Sequence, residues 1–348
     1  MIREYRVRVA VMRDGAEATE LHPVSAPVVD CNSEAVIKMS MSGLFLANPD
    51  VNWLTDELQP IQVIDGVEYP VGVFPVGTFS ENVDENGATT VMVEAFDRCM
   101  VLNQIKTQGI LHLSAGTNYL QAIEQLLIDA GISLYLSTPT TAVLATDRED
   151  WEVGTPYLTI INELLREINY GQIWFNASGF AMLQPAKKPS PDNIDHQYGA
   201  EGEEHERFQV LERPCRIETD IFDAHNVFVV ICSNPDLEQP LIATAVNDNP
   251  LSALSTFKRG RKIVGVYRVD NVPDQATLDE YAQKLCAESM LTAETVTIST
   301  ANVPNHGVYD TIALVHPDAF GLYQEVSWSL VLEPGQSMIH HVRRSVLV

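Results

Sequence analysis

What the chain does not contain narrows its class first. Its five cysteines, Cys31, Cys99, Cys215, Cys232 and Cys286, are odd in number, far apart and include no CxxC pair. That spacing excludes a disulfide framework and speaks against a thiolate zinc site. They are read as reduced, mostly buried small apolar residues. No apolar run reaches the length of about eighteen residues that a membrane helix needs, so membrane insertion is not expected. The opening MIREYRVRVAVMRDG alternates charged and apolar residues instead of holding an unbroken apolar core. A secretory signal is therefore not expected, and the chain should be a soluble product of the cytoplasm. Bases are scarce: 22 Lys and Arg stand against 47 Asp and Glu, a formal charge of −25. Duplex binding draws on phosphate neutralisation by Lys and Arg, and the one concentrated basic stretch, KRGRK at 258–262, is short. GxGxxG, Walker, GxSxG and HExxH patterns are all missing, so no cofactor and no catalytic residue is expected.

What is present reads as β-rich. Apolar residues make up 45% of the chain, enough for a packed core. EYRVRVAVM alternates with a period of two, placing Tyr5, Val7, Val9 and Val11 on one face. PIQVIDGVEYPVGVF reads as a hairpin with Asp65-Gly66 as its turn. Pro70 and Pro75 place part of this sheet at an edge or bulge. The period then lengthens. TNYLQAIEQLLIDAG sets Leu120, Ile123, Leu127 and Ala130 on a helical stripe ended by Gly131. GTPYLTIINELLREINYG sets Leu158, Ile161, Leu165 and Ile168 on another, with Thr155 as cap, Pro156 in the first turn and Gly171 as stop. A hairpin over QIWFN-ASG-FAMLQP follows. Polar residues with Pro and Gly from Pro185 to Glu212 read as a connector. Six more strands follow, interrupted by a helix over about 274–290 that carries Leu278, Tyr281, Ala282 and Leu285 on one side, with Asp274 as its cap. The class expected is α+β, predominantly β. A first β-domain spans 1–112, a small α/β unit 113–186, a connector 187–212 and a second β-domain 213–348.

Candidate ligands concentrate in VPNHGVYDTIALVHPD, with His306, Asp310, His316 and Asp318. As a zinc set the spacing fits no local pattern. Asp310 would begin a strand and His316 end it, about 20 Å apart at ~3.3 Å per residue, so one ion is not expected to touch both. The stretch reads as a turn feeding a strand at a sheet edge. Neighbours on a strand face opposite ways, so His340 and His341 are not expected to chelate together. Glu124, Glu163 and Glu167 fall off the helical stripes and are expected to be solvated. Trp53, Trp151, Trp174 and Trp328 are scattered, as core or interface aromatics are.

Several stretches resemble phage and prophage tail proteins of the baseplate-hub type: WEVGTPYLTIINELLREINYGQIWFNASGFAMLQP (151–185), SNPDLEQPLIATAVNDNPLSALST (233–256), DEYAQKLCAES (279–289), VPNHGVYDTIALV (303–315) and YQEVSWSLVLEPGQSMIHHVRR (323–344). The resemblance covers roughly residues 30–348. It implies two tail-tube-like β-barrel domains joined by the small helical unit, and a homotrimer that caps a six-fold tube. It implies a structural, non-enzymatic virion protein at the tail tip, assembled in the host cytoplasm. Its partners would be itself, the tail tube or distal tail protein, the tape measure protein and a tip spike or receptor-binding protein. DNA would pass an acidic lumen without specific binding. Relatives often carry a C-terminal extension with a peptidoglycan-cutting domain; with Val348 following the last predicted strand, no lysin activity is expected in this chain. A module binding cell-wall carbohydrate and a peptidoglycan-acting hydrolase are the alternatives.

Overall fold

A computed structural model describes residues 4–149, 151–199, 211–218, 224–232, 240–269, 272, 274–291 and 294–344. The predicted connector segment YGAEGEEHER and the start of SNPDLEQP fall largely outside the described residues.

The chain opens with eight strands: β1 (Tyr5–Arg13), β2 (Ala16–Leu21), β3 (Val28–Asn32), β4 (Met39–Leu46), β5 (Glu57–Ile64), β6 (Val67–Pro70), β7 (Phe74–Val83) and β8 (Thr89–Phe96). Helices α1 (Cys99–Gln104) and α2 (Tyr119–Asp129), strand β9 (Tyr135–Ser137), helix α3 (Tyr157–Glu167) and strands β10 (Trp174–Phe175) and β11 (Ala181–Leu183) follow. Then come β12 (His196–Tyr198), β13 (Arg216–Glu218), β14 (Val227–Cys232), β15 (Leu241–Val246), α4 (Thr256–Arg259), β16 (Val264–Val269) and α5 (Gln275–Leu291). Last are β17 (Thr295–Ala301), β18 (Thr311–Val315), β19 (Phe320–Val331) and β20 (Ser337–Arg344). The protein is α+β and predominantly β.

The Asp65-Gly66 turn forms as expected. Both residues take positive φ, 51° and 82°, the twist a two-residue hairpin needs. Pro70 ends β6, which among the described residues pairs only with β5, and Pro75 lies beside a register shift in the β7–β8 ladder between Val76 and Thr78. The two proline positions are thus an edge and the flank of a bulge.

Strand pairing departs from the expected division. One 14-stranded sheet has a path of eleven strands in the order β13-β17-β20-β19-β3-β4-β8-β7-β5-β1-β2, with β6, β12 and β18 branching from it. The join is the antiparallel pairing of β19 with β3, Ser327 opposite Asn32 through Val331 opposite Val28. The early and late β-regions therefore share a sheet and a core. Val29, Phe45, Phe74, Val91, Trp328, Leu330 and Met338 are buried together. The pairings among the described residues do not close into a barrel. Strands β14, β15 and β16 form a separate three-stranded sheet. Its inner face, Phe228, Val230 and Ala243, packs on Leu278, Ala282 and Cys286 of α5. Asp274 caps that helix as expected, its carboxylate accepting Thr277 N–H at 2.8 Å. The predicted connector also contains structure: β12 runs parallel to β18.

The helical unit follows its sequence closely. Leu120, Ile123, Leu127, Leu158, Ile161 and Leu165 are buried in one cluster with Phe175, Ala181 and Leu183 of the hairpin. The termini differ in detail. The Thr155 hydroxyl donates backward to Glu152 O instead of capping α3, and Pro156 takes the cap position. Helix α3 ends at Asn169, not Gly171. Asn169 has φ +59°, and Tyr170 N–H and Asn169 N–H close onto Leu165 O and Arg166 O. This is the left-handed helix end usually built on Gly, as Gly131 does after α2. Leu165 is fully buried. Leu165→Ala should cost about 2–5 kcal/mol through lost transfer energy and a cavity, read as a lower urea midpoint with little change in slope.

Candidate functional site

The chemistry-bearing residues gather at a polar island in the late part of the large sheet. Its centre is Glu325 on β19. The strand's alternation points Tyr323 and Glu325 inward, and the β19–β20 register shifts between Glu325 and Ser327. The extra residue, Val326, resets the parity so that Trp328 and Leu330 also face inward. A charged residue is thus aimed into the core between two large aromatics.

The carboxylate is shared by two imidazoles. His306 Nδ1 lies 2.7 Å from Glu325 Oε2, and His340 Nδ1 lies 2.5 Å from Oε1. The far sides of the rings are also occupied. Tyr198 Oη is 2.5 Å from His306 Nε2, and Thr300 Oγ1 is 2.9 Å from His340 Nε2. His196 stacks on His306 with centroids 3.8 Å apart and planes 10° off parallel, and its Nε2 meets Asp310 Oδ2 at 3.2 Å. Asp310 also accepts Gly307 N–H at 2.7 Å, which fixes the turn before β18.

Burial disfavours the ionised carboxylate of Glu325, but the attraction and hydrogen bonds of His306 and His340 outweigh it and hold its pKa at about 2. Burial pushes His306 below the usual imidazole value, partly offset by Glu325. His306 Nδ1 faces the Glu325 carboxylate while its Nε2 meets the Tyr198 hydroxyl. For His196, burial works downward, but the Asp310 hydrogen bond and charge prevail and raise it. Each group in the island is engaged by another. The direct 2.5 and 2.7 Å contacts are shorter than the spacing of about 3 Å or more between ligands that share an ion. The parallel stack keeps the in-plane lone pairs of His196 and His306 from converging. The arrangement is a hydrogen-bonded strut joining β12, the 303–310 turn, β17, β19 and β20.

The sequence candidates are therefore split. His306 and Asp310 join this island. His316 and Asp318 lie in a second group with Cys215. Asp310 and His316 do not share a site, as strand length required. The predicted sheet edge is displaced: β18 has β19 on one side and β12 on the other. His340 and His341 face opposite ways, His340 fully buried and His341 bonded to Thr297 Oγ1 at 2.9 Å. Sequence reasoning missed His196 and Glu325 as members. One signal was available: Glu325 is a charge on the inward parity of an alternating strand.

The helical acids also differ from expectation. Glu167 is not solvated but receives Arg148 Nη1 at 2.8 Å on both oxygens and Tyr119 Oη at 2.8 Å. Burial pushes its carboxyl up against the pull of Arg148, and burial followed by the Glu167 charge pushes the Tyr119 phenol well above its usual value. Glu163 accepts the Trp151 indole N–H at 2.7 Å, while Glu124 accepts Ser137 Oγ at 3.3 Å. Both distant bonds cross loops the helix periodicity does not encode. Between α3, α5 and the Tyr309 turn lies a cleft of about 790 Å³ carrying Glu163, Arg166, Trp174, Lys187, Lys284 and Tyr309.

The strut sets a pH dependence. A depressed carboxylate contributes stability above its unfolded value of 4.5 that is lost as pH falls toward about 2. That is about 3 kcal/mol for the shift. A depressed His306 acts in the same sense below 6.5. Asp97, raised by burial to about 6 although it accepts Cys99 and Met39 N–H, acts oppositely as pH rises from 3.8 to 6. Replacing Glu325 isolates its share. Glu325→Gln should flatten the acid limb of stability between pH 4.5 and 2, measured by denaturant unfolding at a series of pH values.

No protein-family model and no curated protein matches the sequence. Solved structures do match it across nearly its whole length. The tail protein from Neisseria meningitidis MC58 is 15% identical with a TM-score of 0.68, covering 97% of this chain and 96% of that one. The 43 kDa tail protein of prophage MuSo2 from Shewanella oneidensis is 10% identical with a TM-score of 0.66, covering 98% and 99%. The E. coli c3393 protein is a component of the type VI secretion system with structural similarity to T4 tail proteins gp27 and gp5. It is 8% identical with a TM-score of 0.53, covering 97% and 76%. At these identities the likeness is one of fold, and the fold of this chain is that of the phage and prophage tail proteins.

Proposed function

We propose that the protein is a structural hub at the distal end of a phage or phage-derived tail, a homotrimeric ring that joins the tail tube to the tip and surrounds the DNA passage. The observation that carries the reading is the two-way full-length match in fold to tail proteins, with both chains covered almost completely. In this reading the strands before residue 113 and those after 212, joined through β3 and β19 in one open sheet, serve as the two tail-tube-like halves flanking the helical unit. Three chains then supply six positions, enough to meet a six-fold tube. The role is structural and non-enzymatic, and it suits a polar island whose groups bind one another. The partners are a second and third copy, the tail tube or distal tail protein, the tape measure protein and a separate spike or receptor-binding protein. The location is the virion tail tip.

The formal charge of −25 has a use there. An acidic inner wall repels phosphates, so DNA slides without adhering. Light scattering behind a sizing column should give three times the chain mass, and negative-stain images should show a ring with an axial hole. A solitary monomer at all concentrations, or retention of duplex DNA at physiological salt, would refute the hub reading.

A further inference from the structure

The second ligand group lies outside the strut and has a different geometry. Cys215 stands just before β13, and His316 and Asp318 lie in the turn between β18 and β19. That turn is closed by His316 N–H to Ala319 O at 3.0 Å and Ala319 N–H to His316 O at 3.3 Å. His316 is buried, and its Nε2 meets the Arg213 carbonyl at 2.7 Å. A carbonyl only accepts, so Nε2 carries the proton and Nδ1 carries the lone pair. This is the way metal-bound imidazoles are normally oriented, their second nitrogen tied to a carbonyl or carboxylate.

The lone pair faces two further donors. Cys215 Sγ is 3.6 Å from His316 Nδ1, and Asp318 Oδ2 is 3.9 Å from it. All three donor atoms lie within 4.8 Å of one another. A tetrahedral zinc with bonds of about 2.3 Å to sulfur and about 2.0–2.1 Å to nitrogen and oxygen keeps its N and S ligands about 3.6 Å apart and its N and O ligands about 3.4 Å apart. The Cys215–His316 spacing already meets this. The Asp318 side chain is 69% exposed, so a small rotation brings its oxygen in. The lone pair now accepts Asp318 N–H at 3.1 Å, a bond the ion would replace and water at this exposed turn could take over.

We propose that Cys215, His316 and Asp318 hold one divalent ion of the zinc class, with water in the fourth position, as a clip that pins the chain at 213–218 to the β18–β19 turn. The thiolate, imidazole and carboxylate set is that of a borderline-soft ion. Binding exchanges the thiol proton for the metal: the S–H bond breaks, an S–M bond forms, and one proton leaves to solvent. The site is distinct from the strut, where direct hydrogen bonds leave no room for an ion. It also does not depend on the tail reading.

Cobalt(II) makes it visible, because a thiolate ligand adds a near-ultraviolet charge-transfer band that nitrogen and oxygen ligands alone do not. The other four cysteines are buried, so Cys215 is the accessible source of such a band. The full chain, stripped with a chelator, should bind one cobalt ion with this band, and zinc should displace it and raise the melting temperature. Cys215→Ser should abolish the band. Asp318→Asn, at an exposed turn, should leave folding intact and weaken binding at least about tenfold. Absence of the band in the wild-type chain, its persistence in Cys215→Ser, or unaltered affinity in Asp318→Asn would each overturn the assignment.

Discussion

One carboxylate inside the sheet organises the late half of this protein. Glu325 is fully desolvated, a state that costs several kcal/mol for an ion without partners. Two imidazoles from separate segments offset that cost, one from the 303–310 turn and one from β20. Because the partners are far apart in the chain, the interaction fixes their mutual placement as well as their energy. The β19 bulge makes it possible. Without the extra residue, either Glu325 or Trp328 would face the wrong side. With it, Trp328 packs in the core shared with the first strands and its indole N–H donates to Gly307 O at 2.9 Å. The strut and the junction of early and late strands are therefore parts of one local construction.

The helical unit is tied to that sheet by one buried and one half-buried cation. Lys38, at the start of β4, donates to Ser33 O at 2.8 Å, Ala35 O at 2.6 Å and Gln172 Oε1 at 2.6 Å. The last of these reaches into the helical unit. Arg98, before α1, forks onto Glu57 at 2.8 and 2.6 Å and also donates to Gly179 O at 2.9 Å in the β10–β11 hairpin. Burial lowers the Lys38 ammonium, yet three acceptors satisfy all three of its N–H groups. Directional, desolvated anchors of this kind resist sliding better than apolar contact alone.

Charge has a different distribution of roles inside and outside. Several bases are drawn into specific pairs, as with Arg148 on Glu167 and Arg98 on Glu57, while the surplus of acids over bases sets the field around the molecule. In the proposed ring that field is what a passing polyanion would meet.

Periodicity by itself determined the element types. The period of two in β1 and the 3.6-residue stripe of α3 depend only on which side of a single element is apolar, so Val9, Val11, Leu158 and Leu165 were legible as core. The Asp65-Gly66 turn and the Asp274 cap were legible for the same reason, being local. The resemblance of 151–185 to tail proteins pointed to the fold now observed. Tertiary structure alone decided which strands pair, so the two β-regions expected apart meet at β3 and β19, some 300 residues from one another at their extremes. It alone decided that Glu167 is paired, since Arg148 approaches across a loop. It also divided the four ligand candidates of 303–318 between two clusters completed by His196, Glu325 and Cys215. Neither pairing nor convergence has a period, because both depend on three-dimensional closeness between segments whose sequence separation carries no signal.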